Sequence, residues 1–328
     1  MIAIAEQQFN PPNKRVFNPV SHRMRSRRWQ GYFVALSLLA VPAWAGSDAV
    51  GLAGKQPDYS QRELNNSFQL SAIRPLAWSP GLNRGYIPQG IAVAGEELLV
   101  SAYRRSGDGP KCQIFRIDKT TGETTGELAV VGEYCSHAGG LAYSDDQRLF
   151  VSDTRRLYEI QLNGIETVDG EPQGVIHTWE LRFPLKGSFA AASREGLWLG
   201  VYSKPGPGLM YRIPWSRLNH NKAVLWATDA DHLFEITPAS QGACLDAAGS
   251  LWLSQSTSQY GQIQQLDPDT GQIAREYPVM AGIEDLGCED NGTLWSVSEA
   301  GSQRWSNWEI FYPVVFGIHI DQLKAGND

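Results

Sequence analysis

The sequence predicts an all-β protein, a β-propeller of five blades with four antiparallel strands each, whose ring is closed by an N-terminal strand. Three observations predict it. A short strand of small residues recurs five times, as Gln89-Gly-Ile-Ala92, Gly139-Gly-Leu-Ala142, Phe189-Ala-Ala-Ala192, Gln241-Gly-Ala-Cys244 and Asp285-Leu-Gly-Cys288. A second, apolar strand follows each one and puts Leu99, Phe150, Trp198, Trp252 and Trp295 at one equivalent position, at steps of 51, 48, 54 and 43 residues. Turn formers join the two strands at Ser144-Asp-Asp146, Ala248-Gly249 and Asp290-Asn-Gly292. Several short strands per unit at such a period are the mark of radial repetition.

The chain opens on a segment of different character. Lys14, Arg15, Arg23, Arg25, Arg27 and Arg28 stand against Glu6 alone, an apolar stretch runs from Tyr32 to Val41, and Ala43-Trp44-Ala45 follows. This order predicts a signal peptide over residues 1–45, cleaved after Ala45. Residues 46–67 read as an N-terminal extension and residues 68–325 as a single propeller domain. An exported chain, secreted or periplasmic, is the expectation, without a membrane association once the signal is removed.

Within the repeats, third strands read from Gln113 to Asp118, Leu157 to Leu162, Leu209 to Pro214 and Gln262 to Asp267. Thr121-Gly122 and Thr270-Gly271 turn two of them into fourth strands. Small residues belong on the inner strand, where the sheets crowd about the axis, and aromatics on the next, where the wedge between blades widens. The fifth repeat has a third strand, Val314 to Asp321, and then runs out of chain. The strand-like segment Phe68 to Ala77 is therefore expected to complete it.

Composition bounds the partners. The formal net charge is −7, and loss of the first 45 residues, with six positive charges and one negative, would bring it to −12. An acidic chain lacks the basic face that nucleic acid or an anionic membrane demands. Cys112, Cys135, Cys244 and Cys288 are an even set in an exported chain and fit two disulfides. The topology puts Cys112 and Cys135 on one face; Cys244 and Cys288 hold equivalent places on neighbouring inner strands, as a bridge or as small buried thiols.

In a propeller the starts of the inner strands and the ends of the second strands ring a central funnel. That places Gln89, His137, Ser188, Gln241, Glu284 and Asp285 at its mouth, joined by Tyr103, Asp153, Tyr202, Gln255, Ser256 and Glu299. Carboxylates in an apolar funnel have raised pKa values and can act as acid or base, so Glu284 and Asp285 are the catalytic candidates, with His137 beside them. Gln89, Tyr103, Asp153, Gln241, Gln255, Tyr260 and Glu299 are binding candidates. Trp305, in the aromatic loop from Ala300 to Pro313 with Trp308 and Tyr312, could cover a ligand. The structural alternative is that these groups accept backbone hydrogen bonds or face water. Arg104 and Lys204 read as solvated loop residues. The chain carries no nucleophile elbow, HExxH, phosphate-binding glycine loop or CxxC.

Ser240-Gln-Gly-Ala243, Ser256-Thr-Ser-Gln-Tyr-Gly261, Leu266-Asp-Pro-Asp-Thr-Gly271 and Gly282-Ile-Glu-Asp-Leu-Gly287 resemble successive motifs of plant-type glutaminyl cyclases. The resemblance implies a five-bladed propeller that turns an N-terminal glutamine into pyroglutamate without a redox cofactor, with Glu284 at the place of the proton-shuttling glutamate. Ile283 and Asp285 stand where that family has glycines, and its Asn-Glu-Leu-Glu segment has no counterpart here. The chain also resembles, more distantly, lactonases of the paraoxonase and gluconolactonase type, which implies calcium held in the funnel, whereas Gln89, Gln241, Glu284 and Asp285 offer only two anions.

Three functions stay open at this point. One is an acid-base enzyme acting on a small polar or peptide-end substrate, with no cofactor. Another is a calcium-dependent, lactonase-like hydrolase. The third is a non-catalytic propeller that binds a sugar or peptide, or docks a protein partner.

Overall fold

The computed structural model describes residues 51–65, 71–130, 135–162, 167–168, 171–172 and 174–324. The expected signal peptide lies outside the described residues. Those described form a β-propeller of five blades, with helical turns confined to short 3₁₀ segments.

Blade 1 runs outward from the axis through Ile87–Ala94, Glu97–Tyr103, Cys112–Asp118 and Thr124–Ala129. Blade 2 begins Gly140–Tyr143, Leu149–Asp153, Arg156–Ile160 and Val175–Leu181. Blade 3 is Phe189–Ala192, Gly196–Val201, Gly208–Pro214 and His232–Ile236, and blade 4 is Ser240–Leu245, Leu251–Ser256, Gly261–Leu266 and Ile273–Val279. Blade 5 takes three strands from the end of the chain, Ile283–Cys288, Thr293–Ser298 and Val314–His319, and its fourth from the beginning, Ile73–Trp78. That fourth strand pairs antiparallel with Val314–His319, Ile73 opposite Ile318 and Trp78 opposite Val314. The ring is closed by the N-terminal strand, as expected.

The repeat in the sequence is a repeat in register. Leu99 faces Ala92, Phe150 faces Ala142, Trp198 faces Ala191, Trp252 faces Cys244 and Trp295 faces Gly287. A small residue on the inner strand leaves room for the large neighbour to fill the wedge. Trp252 and Trp295 also repeat a polar detail: each Nε1–H donates, at 2.8 Å, to an acid six residues earlier, Asp246 and Glu289.

The five inner strands pack side by side in a closed ring, each against both neighbours. Glycine permits that approach. A Cβ on Gly140 would stand 2.6 Å from the Ala190 nitrogen, and one on Gly242 2.1 Å from Asp285 Cα, so no other residue fits at either place.

Blade 2 has an extra strand that the pattern did not predict. Val224–Leu225, from the connection between the last two strands of blade 3, adds parallel to Val175–Leu181. The longest step in the aromatic series, Trp198 to Trp252, contains this excursion.

Both disulfides form. Cys112–Cys135 ties blade 1 to the chain leading into blade 2, and Cys244–Cys288 links the inner strands of blades 4 and 5. Two disulfides fit an oxidising compartment. Among the described residues no helix is long and apolar enough to cross a membrane.

Residues 51–65 lie along blade 5 as a strap. The Trp78 N–H donates to the Ala53 carbonyl at 3.0 Å, and the Tyr59 hydroxyl to the Gly301 carbonyl at 3.0 Å. Arg62 donates to the Trp308 carbonyl at 2.8 Å and to that of Glu309, and its guanidinium lies 5.2 Å from the Phe311 ring centre. The strap thereby fastens the aromatic loop.

Candidate functional site

Three of the five inner strands break register near the same end of the axis. Pairing slips between Pro88 and Ile91 in blade 1, Ser240 and Gly242 in blade 4, and Ile283 and Leu286 in blade 5. A bulge re-aims the side chain it carries. Gln89, Gln241 and Glu284 sit at these breaks, and all three line a cavity of about 680 Å³ at the mouth of the funnel.

Seven of the eleven residues singled out from sequence line this cavity: Glu284, His137, Gln89, Tyr103, Gln241, Glu299 and Trp305. Glu284 and Glu299, both buried, stand together in this lining, each carboxyl close enough to act on the other. Burial is the main cause that raises the Glu284 carboxyl well above the usual range, and the Glu299 charge adds to it. Glu299 is raised less. Burial raises it, but the Trp305 indole, at 2.7 Å, and the Gln89 amide, at 3.2 Å, donate to its Oε2, and the Arg304 charge also favours the anion. Burial thus favours the protonated form of both carboxyls, and the donors around Glu299 oppose it there. The Gln241 amide reaches Glu284 Oε1 at 3.5 Å.

His137 also lines the cavity, its ring centre 4.9 Å from that of Tyr103. Burial lowers its pKa, with the Asp153 charge pulling the other way. Asp153 is the reason the histidine is where it is. Its carboxylate accepts the backbone N–H groups of Ser136, His137 and Ala138, and Ala138 holds a left-handed φ of 49° at this corner.

The other four residues are placed elsewhere. Asp285, although next to Glu284, turns into the axis and is fully buried. Its oxygens accept N–H groups from three other blades, Ile91 at 3.2 Å, Leu141 at 2.9 Å and Ala243 at 3.2 Å. Burial pushes this carboxyl up and the backbone donors pull it back. Asp153 is buried behind the His137 loop. Gln255 is buried too, donating to the Pro238 carbonyl at 2.6 Å and accepting from Gln262 at 2.5 Å. Tyr260 is on the surface, outside the cavity lining.

Sequence reasoning passed over part of the lining. Arg304 donates to the Tyr103 hydroxyl and lies 4.3 Å from the Trp305 ring centre. Arg105 and Lys186 also border the cavity. The available signals were position alone: Arg304 beside Trp305, Arg105 after the second strand of blade 1, Lys186 just before the blade 3 inner strand. Arg104, read as solvated, is instead buried against Tyr86, 5.1 Å from its ring centre, and donates to the Pro110 carbonyl at 3.1 Å.

The donor set does not suit calcium. Asp285 is turned away and occupied by backbone N–H groups, which leaves the cavity two carboxyls, where calcium prefers six to eight oxygens with several carboxylates. Among the described residues no group of three or more His, Cys, Asp or Glu could hold a metal ion.

No protein-family model and no curated protein matches the chain. Solved structures do. The glutaminyl cyclase of Myxococcus xanthus superposes with a TM-score of 0.50 at 13% identity, over 78% of this chain and 97% of that one. A luciferin-regenerating enzyme gives a TM-score of 0.44 at 11% identity, over 77% and 97% of the two chains. A catalytically inactive virginiamycin B lyase from Staphylococcus aureus, solved with quinupristin, gives 0.37 at 15% identity, over 70% and 82%. At such identities the likeness is one of fold.

Proposed function

We propose that the protein is an exported acid-base enzyme whose funnel takes the amino end of a peptide and closes an N-terminal glutamine into a lactam with release of ammonia. One observation carries the reading: two buried carboxyls, Glu284 and Glu299, line one cavity open to solvent, where burial raises both above the usual carboxylate range. The fold it shares with a bacterial glutaminyl cyclase supports the same direction.

The chemistry asks for little else. The α-amine attacks the side-chain amide carbon, a C–N bond forms, and the amide nitrogen leaves. One proton comes off the amine and one must reach the leaving nitrogen. Glu284, facing the cavity, delivers its proton to the departing nitrogen; the pair recovers one from the amine. Gln241 and Gln89 fix the two carboxyls, and His137, kept neutral by burial, is available as a hydrogen-bonding group for the substrate amide. Glu284→Gln tests it, since glutamine keeps the shape and cannot pass a proton: release of ammonia from glutaminyl peptides should stop while folding persists.

The sugar-binding reading has less support. Trp305 gives its indole N–H to Glu299, and its ring is covered by Arg304 and stacked with Trp308 at 4.8 Å.

A further inference from the structure

The funnel mouth has a charge unlike that of the chain. The whole sequence is at −7, yet Arg105, Lys186 and Arg304 all line the cavity. Elsewhere Arg84, Arg116, Lys119, Arg148, Arg212 and Lys222 each rest against a carboxylate. Arg105 and Lys186 make no ion pair among the described residues. Lys186 is half-buried, and its ammonium lies 6.0 Å from the Phe183 ring centre, with no counter-charge among the described residues. Arg304 differs: its hydrogen bond to Tyr103 and its stacking on Trp305 fix the guanidinium before a ligand arrives.

The same cavity holds the Glu284 and Glu299 carboxyls. Buried carboxyls and basic side chains lining one cavity suit a ligand that is itself bipolar. We propose that Arg105, Lys186 and Arg304 form a subsite for an anionic group, carboxylate or phosphate, on the residues that follow the N-terminal one, so that the preferred ligand is an acidic peptide with a free amino end. The inference rests on the reading above only for seating the amine beside the carboxyls.

Calorimetric titration of the purified protein with three glutaminyl tetrapeptides tests it, their second and fourth residues being alanine, aspartate or lysine. Partly exposed charge pairs contribute up to about fivefold each, so the aspartate peptide should bind roughly tenfold tighter than the alanine one and the lysine peptide weakest. The preference should fall below about twofold in the Arg105→Ala/Lys186→Ala double variant, persist in Arg105→Lys/Lys186→Arg, and shrink with added salt. A phosphoserine peptide separates the two anions: binding at least as tight as aspartate marks a subsite that reads charge, weaker binding one shaped for carboxylate. Equal affinity for the alanine and aspartate peptides, or a preference that survives the double variant, overturns the subsite. Ammonia release, followed in parallel, keeps the two ideas apart. Preference without turnover leaves the subsite standing and removes the cyclase reading; turnover without preference does the reverse.

Discussion

Glu284 and Asp285 are neighbours in the chain and opposites in the fold: one faces the funnel cavity, the other is sealed in the axis under three backbone N–H groups. The bulge between Ile283 and Leu286 is where they part. Two adjacent acids thereby acquire separate tasks, proton transfer for the first and clamping of the blades for the second.

Asp285 should be a stability residue. Its replacement by alanine leaves buried N–H groups in blades 1, 2 and 4 without an acceptor, at about 1–3 kcal/mol each. Denaturant unfolding of Asp285→Ala should show a loss of about 3 kcal/mol or more, or no folded protein. An unaltered unfolding curve with lost turnover would make Asp285 a catalytic group instead.

The carboxyl pair should give stability a signed pH dependence. Glu284 is raised in the folded state, so between the ordinary carboxylate pKa and its own the folded protein holds a proton that the unfolded chain has released. Unfolding then releases protons, and stability falls as pH rises through that window. Melting temperature followed upward from pH 5 should decline less steeply in Glu284→Gln than in the parent; identical slopes would mean that Glu284 is ionised throughout.

Trp305→Phe removes one donor that favours the Glu299 anion against the pull of burial. The Glu299 pKa should rise, and any acidic limb of the pH-rate profile should move to higher pH. A profile that keeps its position while only the substrate constant changes would leave Trp305 a contact surface and no more.

Arg62 should matter at a distance, because its bonds to the Trp308 and Glu309 carbonyls fasten the loop that carries Trp305. In Arg62→Ala, amide exchange over residues 303–310 should quicken while the inner strands stay protected. Uniform exchange across the chain would show that the strap stabilises the whole fold.

Much of this architecture was legible in the sequence. The spacing of Leu99, Phe150, Trp198, Trp252 and Trp295 carries the blade count, because one wedge position demands one large residue per blade. A fifth repeat without its fourth strand pointed to closure by the N-terminal segment, and the shared face of Cys112 and Cys135 pointed to their bridge, while Cys244 and Cys288 stayed open between a bridge and two buried thiols. The bulges were not legible. A strand read by strict alternation cannot say which of Glu284 and Asp285 faces the cavity, and Gln255 looked equivalent to Glu299 until its amide was found bonded to Pro238. Arg304, Arg105 and Lys186 were missed for another reason: long side chains on loops border a cavity through the path of the loop, which no periodicity encodes.

The most direct test follows ammonia release and peptide mass when the purified protein meets a glutaminyl peptide, with Glu284→Gln alongside. Loss of ammonia from the peptide is expected with the parent protein and none above background with the variant, which still melts cooperatively. Full turnover by Glu284→Gln, or no turnover by the parent on any peptide that it binds, would contradict the cyclase reading.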